Sequence, residues 1–304
     1  MKILFTGASS FTGYWFVKTL AAAGHEVICP LTGEVGRYTD VRGKRVELLS
    51  PLCRLVPNAP FGSDAFLKLA GAEKFDRLCH HAADVTNYKS ADFDALRALQ
   101  NNALNLRTVL KTLNCPVILT GSVFENDEGI GAEPRRAFSP YGLSKGLTYQ
   151  VFRYYCSEAG IPLGKFVIPN PFGPLEEPRF TAFLMKNWKA GQPVEVKTPD
   201  YIRDNIHVDL IALAYAAFTT AAAQEPLRKM NPSGYAEKQG SFAQRVAAEV
   251  KARTGLACEL KLAQQTDFSE PLDRVNSDAV AKSFSAWNEK TAWDDFVRFY
   301  SDKA

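Results

Sequence analysis

Short apolar runs recur along the first half of the chain, at residues 2–5, 25–29, 45–49, 75–80, 115–120 and 163–168. Runs of this length, bounded by Gly, Pro and charged residues, predict strands. Their alternation with helical or irregular stretches predicts a parallel, doubly wound α/β sheet with helices on both faces. Residues 14–23 read as the first of those helices, ended by Gly24. Residues 30–62 are rich in Pro, Gly and Arg and show no clear helix. From Pro174 the pattern changes. Residues 179–188 read as an amphipathic helix, followed by the Gly191-Gln192-Pro193 turn and the strand Val194-Glu195-Val196. Residues 207–220 predict a helix packed on the main sheet, and residues 230–304 alternate helix and loop.

The turn Thr6-Gly7-Ala8-Ser9-Ser10-Phe11-Thr12-Gly13 lies between the first strand and the first helix, and a second strand follows at 25–29. A small-residue turn at a helix N-terminus aims backbone N–H groups and the helix dipole at an anion, which suits a pyrophosphate. Gly7 suits the tight turn, and Gly13 lets helix and strand pack closely.

A second chemical signal is Ser139-Pro140-Tyr141-Gly142-Leu143-Ser144-Lys145. Residues four apart share a helix face, so Tyr141 and Lys145 point the same way. A cation about 4 Å from a phenol is worth roughly 4 kcal/mol at an effective dielectric near 20, or about three pKa units. A phenol so shifted can pass a proton to or from a substrate oxygen near neutral pH. Tyr14 and Lys18 share the spacing, but Tyr14 reads as a first-turn residue of a helix, so that pairing is incidental.

Taken in order, these motifs resemble the extended short-chain dehydrogenase/reductase family, of the NAD-dependent epimerase/dehydratase type, whose members mostly modify nucleotide sugars. Gly7, Ser10 and Gly13 match the family's three-glycine turn, with Ser10 replacing the middle glycine. Residues 76–83 resemble the fourth strand and its cofactor-facing end, and Asn102 the family's structural asparagine. Residues 117–124 resemble the strand that delivers a catalytic hydroxyl. Residues 169–174 and 202–209 resemble two later signatures of nucleotide-sugar members.

The resemblance implies a Rossmann-type fold with a smaller, discontinuous C-terminal substrate lobe. Residues 1–165 would bind the dinucleotide, with 202–222 returning to that domain; 166–201 and 223–304 would form the lobe. Thr120, Tyr141 and Lys145 are the implied catalytic residues, with Ser122 as a competing hydroxyl. Cofactor contacts are implied for Gly7, Ser9, Ser10, Phe11, Gly13, Thr32 and Arg37. They are implied also for His80, Ala82, Ala83, Asn102, Tyr141, Lys145 and Pro169. Asn170, Arg179, Arg203 and Arg274, with Ser122, are the implied substrate contacts, since an arginine fork meets phosphate oxygens in pairs. Glu176 and Glu177 are candidate walls of the sugar pocket. Helices near 92–112 and 141–158 would pair across a homodimer interface.

Bulk properties narrow the field. With 304 residues and 46% hydrophobic content, one large α/β domain and a small appendage can bury a full core. A net charge of +3, with no basic run, offers nothing for nucleic acid. The six cysteines are scattered without close pairs or histidine partners at metal spacing, as in a reduced, cytoplasmic protein. His80-His81 is the sole histidine pair, and its strand-end position argues against a metal. No signal peptide and no membrane-spanning run is expected.

The reaction is narrowed by two further positions. Dehydratases of the family carry an Asp-Glu pair after the catalytic Thr; Gly121-Ser122 stands here instead. What remains is a 4-keto-sugar reductase, which releases its cofactor, or a nucleotide-sugar 4-epimerase with tightly bound NAD. The second strand ends in Cys29-Pro30-Leu31-Thr32-Gly33 with no acid for a ribose 2′-OH. Arg37, Arg42, Lys44 and Arg45 follow, and any could meet a 2′-phosphate, which tips the expectation towards NADP and the reductase. Glu34 or Asp40 folding back would favour NAD. Two other readings stay open: a catalytically silent dinucleotide-sensing regulator, and a reductase of small ketones or aldehydes.

Overall fold

The computed structural model describes residues 1–130, 136–222 and 225–301. The first elements are β1 (Lys2–Thr6), α1 (Phe11–Ala22), β2 (Glu26–Pro30), α2 (Asp40–Leu49), β3 (Arg54–Val56), α3 (Asp64–Ala72) and β4 (Arg77–His80). Then come α4 (Ala95–Asn102), α5 (Leu106–Leu113), β5 (Val117–Ser122), α6 (Pro140–Glu158), β6 (Leu163–Ile168), β7 (Asn170–Phe172) and α7 (Phe180–Lys189). They are followed by β8 (Val194–Val196), β9 (Ile202–His207), α8 (Val208–Thr220), β10 (Leu227–Met230), β11 (Pro232–Ser233) and β12 (Tyr235–Lys238). The last are α9 (Gln239–Thr254), β13 (Leu260–Leu262), β14 (Asp273–Arg274), β15 (Asp278–Ala279) and α10 (Glu289–Ser301). These residues form two compact units: 1–128 with 136–168 and 212–231, and 129–130 with 169–211 and 232–301.

The first unit carries a seven-stranded sheet in the order β10-β6-β5-β4-β1-β2-β3, parallel at every pairing. Its inner strands are buried on both faces, which is why they read as continuous apolar runs. On one face Phe66, Leu78, Val109, Leu119 and Phe152 belong to a single core under α3, α5 and α6. On the other, Phe16 of α1 stacks on Tyr215 of α8, 4.0 Å apart, with Phe5 and Phe166 edge-on to the same tyrosine. Arg77 fixes the return of α8: its Nε donates to Thr219 O and its Nη2 to Ala221 O, each at 3.1 Å. A cation on the last carbonyls of a helix satisfies them and complements the dipole.

Two local expectations are corrected. The strand-like run at 45–49 is the second half of α2: Val46 and Leu49 point inward at helical spacing, while Lys44 and Glu47 pair in water. The third strand instead lies at Arg54–Val56. The helix expected near 92–112 is two helices, broken at Asn105, whose φ is +50°.

The second unit is built on β9, which pairs with β12, β14 and β7. β8 with β13 and β11 with β15 add two small parallel pairs. Its core gathers Phe172, Trp188, Phe242, Trp293 and Phe296.

Candidate active site

The turn after β1 closes against the end of β4. Gly7 has φ +81°, and a Cβ there would stand 2.7 Å from Ala82 N. A Cβ at Gly13 would reach within 2.2 Å of Gly7 O. Ser10 caps α1: its Oγ accepts from Gly13 N at 3.1 Å and donates to Gly7 O at 2.8 Å. Ser9 and Phe11, beside it, are buried. Backbone pressed this closely against a helix N-terminus fits a dinucleotide's pyrophosphate.

His80 and His81 brace this turn from β4. His80 Nε2 lies 3.0 Å from Asn102 O, and a carbonyl can only accept, so Nε2 carries the proton. Its Nδ1 then accepts from Thr6 Oγ1 at 3.0 Å, and that hydroxyl accepts from Ala82 N at 3.1 Å. His80 is buried among Phe61 and Phe152, and burial pushes its pKa down to about 3. Asn102 is buried too; its Oδ1 accepts from Asp84 N at 2.8 Å and its Nδ2 donates to Thr148 Oγ1 at 3.2 Å. These bonds anchor the half-buried Ala82-Ala83 stretch between β4 and α6.

His81 joins three hydroxyls. Its Nε2 lies 3.0 Å from Ser10 Oγ and 3.1 Å from Thr12 Oγ1, and its Nδ1 3.0 Å from Thr120 Oγ1. Burial and the Lys145 cation push its pKa down to about 3, so the bridge is neutral. Thr120 is 3% exposed, and its hydroxyl is shared between this ring and the Tyr215 phenol. Ser122, two residues on and on the same strand face, is half-buried, and its Oγ accepts from Phe124 N at 3.2 Å.

α6 brings in the tyrosine and the lysine. Ser139 caps the helix by accepting from Gly142 N at 3.2 Å, with Pro140 at the first turn. A Cβ at Gly142 would lie 2.0 Å from Phe124 O, so glycine is needed for α6 to seat against the β5 loop. Tyr141 is half-buried, its ring edge-on to Tyr88 at 5.5 Å and Phe93 at 5.9 Å. One turn later Lys145, 4% exposed, donates through Nζ to Thr120 O at 2.5 Å. Burial pushes its pKa down to about 8, Glu125 pulling it up and Lys165 pushing it further down. That shift corresponds to about 3 kcal/mol against the charged form.

The four cations after β2 separate clearly. Arg42 donates to Ser9 Oγ and lies over the Tyr38 ring at 4.9 Å; Tyr38 OH is 3.3 Å from Thr32 Oγ1. Arg45 is fully buried, donating to Ser9 O at 3.0 Å. Lys44 pairs with Glu47, and Arg37 is exposed.

In the second unit, Pro169 is buried and Asn170 of β7 sits opposite Asn205 of β9. Arg203 lies over Tyr201 at 4.3 Å. Its Nη1 donates to Ile202 O, Pro271 O and Leu272 O, and its Nη2 to Glu270 at 2.8 Å. Arg274 is buried on β14, opposite Arg203 in register. Arg179 is exposed at the start of α7. Glu176 is buried, accepting from Thr181 Oγ1 and Ala182 N, and burial pushes its pKa up to about 7.

Residues 3–231 match the profile of the NAD dependent epimerase/dehydratase family, and the chain belongs to that family. It is thus an NAD(P)-dependent enzyme of the short-chain dehydrogenase/reductase type, as the resemblance implied. No curated protein matches the chain. The fold is similar to that of several solved structures. A UDP-glucose 4-epimerase from Stenotrophomonas maltophila, with NAD and formylated UDP-arabinopyranose bound, shares 17% identity over 99% of this chain and 98% of that one, with TM-score 0.76. The Thermotoga maritima UDP-glucose 4-epimerase with UDP-glucose gives 17%, 99% of each chain and 0.75. A UDP-glucuronic acid 4-epimerase from Bacillus cereus with UDP-glucuronic acid and NAD gives 16%, 100% of each and 0.75. At these identities the likeness is one of fold. Among the described residues, no helix is long and apolar enough to cross a membrane.

Proposed function

We propose that the protein interconverts an alcohol and a ketone on a nucleotide-activated sugar, as a 4-epimerase that retains NAD. The observation that carries the oxidoreductase chemistry is Lys145, a buried ammonium bonded to the end of β5, one turn from the half-buried phenol of Tyr141. A nicotinamide, when bound, supplies reversible hydride acceptance. Tyr141 takes the proton from the sugar hydroxyl as the ketone forms and returns it on reduction. Lys145 stabilises the phenolate by its charge. Of the two strand hydroxyls, Ser122 is the more open and donates to the substrate oxygen, while Thr120 holds that strand end to His81.

Gly7, Ser9, Ser10, Phe11 and Gly13 would cradle the pyrophosphate, with Thr32 and Ala82-Ala83 along the nucleosides. Arg203 and Arg274 would take the substrate's diphosphate. Epimerisation is supported by the kind of protein the fold resembles, since the similar structures named above are UDP-sugar 4-epimerases and two of them hold NAD. A homodimer through α4 and α6 is part of this reading, and Leu96, Leu143 and Tyr154 stand exposed there.

A 4-keto-sugar reductase using NADP is the second reading. It is favoured by Arg42, stacked on Tyr38 and bonded to the phosphate turn through Ser9. The test is the dinucleotide released on denaturing the purified protein, followed by turnover of UDP-sugars without added cofactor. Near-stoichiometric NAD with interconversion of C4 epimers is expected. An empty protein, or NADP with turnover only when NADPH is supplied, would replace the epimerase by the reductase.

A further inference from the structure

Behind the end of β5 lies a buried charge cluster that the mechanism above does not use. Glu125 is fully buried; its Oε1 accepts from Ser122 N at 2.7 Å, and its own N donates to Ser122 O at 3.0 Å. Its Oε2 lies 2.6 Å from Lys165 Nζ. Lys165, 2% exposed on β6, also donates to Glu128 at 2.7 Å and sits over the Tyr149 ring at 3.9 Å. Glu128 in turn accepts from Lys229 at 3.1 Å and Asn231 Nδ2 at 2.9 Å. Gly121 makes room for the pair, since a Cβ there would stand 2.9 Å from Glu125 Oε1 and 2.8 Å from Lys165 Cε.

We propose that Glu125 is a positioning residue: it fixes the strand end bearing Ser122 and supplies the counter-charge that keeps the buried Lys145 ammonium protonated beside Tyr141. The inference rests on the reading of Tyr141 and Lys145 given above. Lys145 bonds a carbonyl oxygen, which satisfies a donor but neutralises no charge. The groups acting on it come from every neighbouring element. His80 and His81 at the end of β4 are neutral, Tyr141 shares its helix, Lys165 of β6 repels it and Glu125 attracts it. Burial pushes the Glu125 pKa up, and Lys165, Lys145 and the Ser122 N–H bond pull it back down. With both carboxyls ionised, the buried set of Lys145, Lys165, Glu125 and Glu128 carries two charges of each sign. Removing the charge of Glu125 leaves one cation in excess. Lys165 keeps Glu128, so the proton leaves Lys145 first, and a neutral Lys145 no longer lowers the phenol.

The experiment reads Tyr141 directly in the ligand-free protein, by ultraviolet difference titration of each protein against its Tyr141→Phe counterpart. Glu125→Gln keeps an acceptor for Ser122 N and removes the charge. The phenolate of Tyr141 is expected to form about one to three pH units higher, three being the full loss of the Lys145 charge about 4 Å away. Adding Lys165→Met to Glu125→Gln rebalances the set and should move the titration back. Lys165→Met alone removes a like charge and should move it down. An unshifted titration in Glu125→Gln, a shift that Lys165→Met does not reverse, or an upward shift in Lys165→Met alone would overturn the proposal and leave Glu125 as a brace for the strand. Should Glu125→Gln fail to fold, Lys165→Met alone decides by the sign of its shift. Because no substrate is used, absence of nucleotide-sugar turnover with the expected shifts would overturn the substrate reading and leave Glu125 in its role.

Discussion

Arg42 donates through Nε and Nη2 to the hydroxyl of Ser9, at 3.0 and 2.9 Å, so a guanidinium from α2 is seated on the glycine-bearing turn after β1. A 2′-phosphate at the end of β2 would exchange that hydroxyl for a doubly charge-assisted contact. Arg42→Ala is therefore expected to weaken NADP by about 10- to 100-fold and NAD little, which calorimetric titration with both dinucleotides measures. Equal losses for the two would mean that Arg42 acts only through Ser9.

Tyr141→Phe should lower turnover by about a thousandfold, within the usual span of general acid–base catalysis, and leave dinucleotide affinity nearly unchanged. Steady-state rates and equilibrium binding on the same preparation check this. Function persisting in the variant would favour the silent regulator over the enzyme.

Gly142→Ala would place a methyl group 2.0 Å from Phe124 O, on backbone that cannot yield locally. Helix α6 must then lift from the β5 loop, carrying Tyr141 and Lys145 with it. A loss of about 2 kcal/mol in denaturant unfolding is expected, together with a larger loss of activity than of stability.

Stability should fall in acid. His80, His81 and His207 each have a folded pKa pushed down to about 3 by burial, so the unfolded chain binds more protons between 3 and 6.5. Their stabilising contribution is full above that window and is lost as pH falls through it. Glu176, raised from 4.5 to about 7, acts oppositely: its contribution is full below 4.5 and is lost as pH rises through 7. The three histidines therefore lower stability as pH falls from 7 to 5, while Glu176, together with Glu125 and Asp204 whose pKa values burial also raises, offsets part of that loss; urea unfolding measures the balance. His207→Gln should make that fall shallower, and an unchanged slope would rule His207 out as a contributor.

Arg203 is held by three carbonyls and by Glu270, whose own side chain is 43% exposed. A diphosphate bound there, as proposed, would have to compete with that carboxylate for the fork. Glu270→Gln should tighten UDP by a few-fold, and Arg203→Ala should weaken it by about tenfold or more. Unaltered affinity in both variants would remove Arg203 from the substrate site.

What could be read from the sequence was local. Gly7 with Gly13, and Tyr141 with Lys145, lie within one turn or one helical repeat of each other, so spacing alone shows that they converge. Glu125, Lys165 and Lys145 come from a loop, a strand and a helix, and no spacing links them. The nearest signal was Glu125 itself, a carboxylate just past the end of β5. His81 was visible only as half of a histidine pair, because its three hydroxyl partners lie in two other segments. Residues 45–49 misled because Val46, Leu48 and Leu49 fit a short strand as well as an inward helix face, and only the packing of α2 separates them.

Gly121 also governs which reactions this scaffold can acquire. In the dehydratases of this family a carboxylate takes that position, whereas here the space is filled by the Lys165 stem and Glu125. Introducing Asp at 121 would push a third acid into an already balanced pair, so water elimination is not one substitution away. A lineage entering that chemistry would first have to dismantle the ion pair, and with it the charge balance around Lys145.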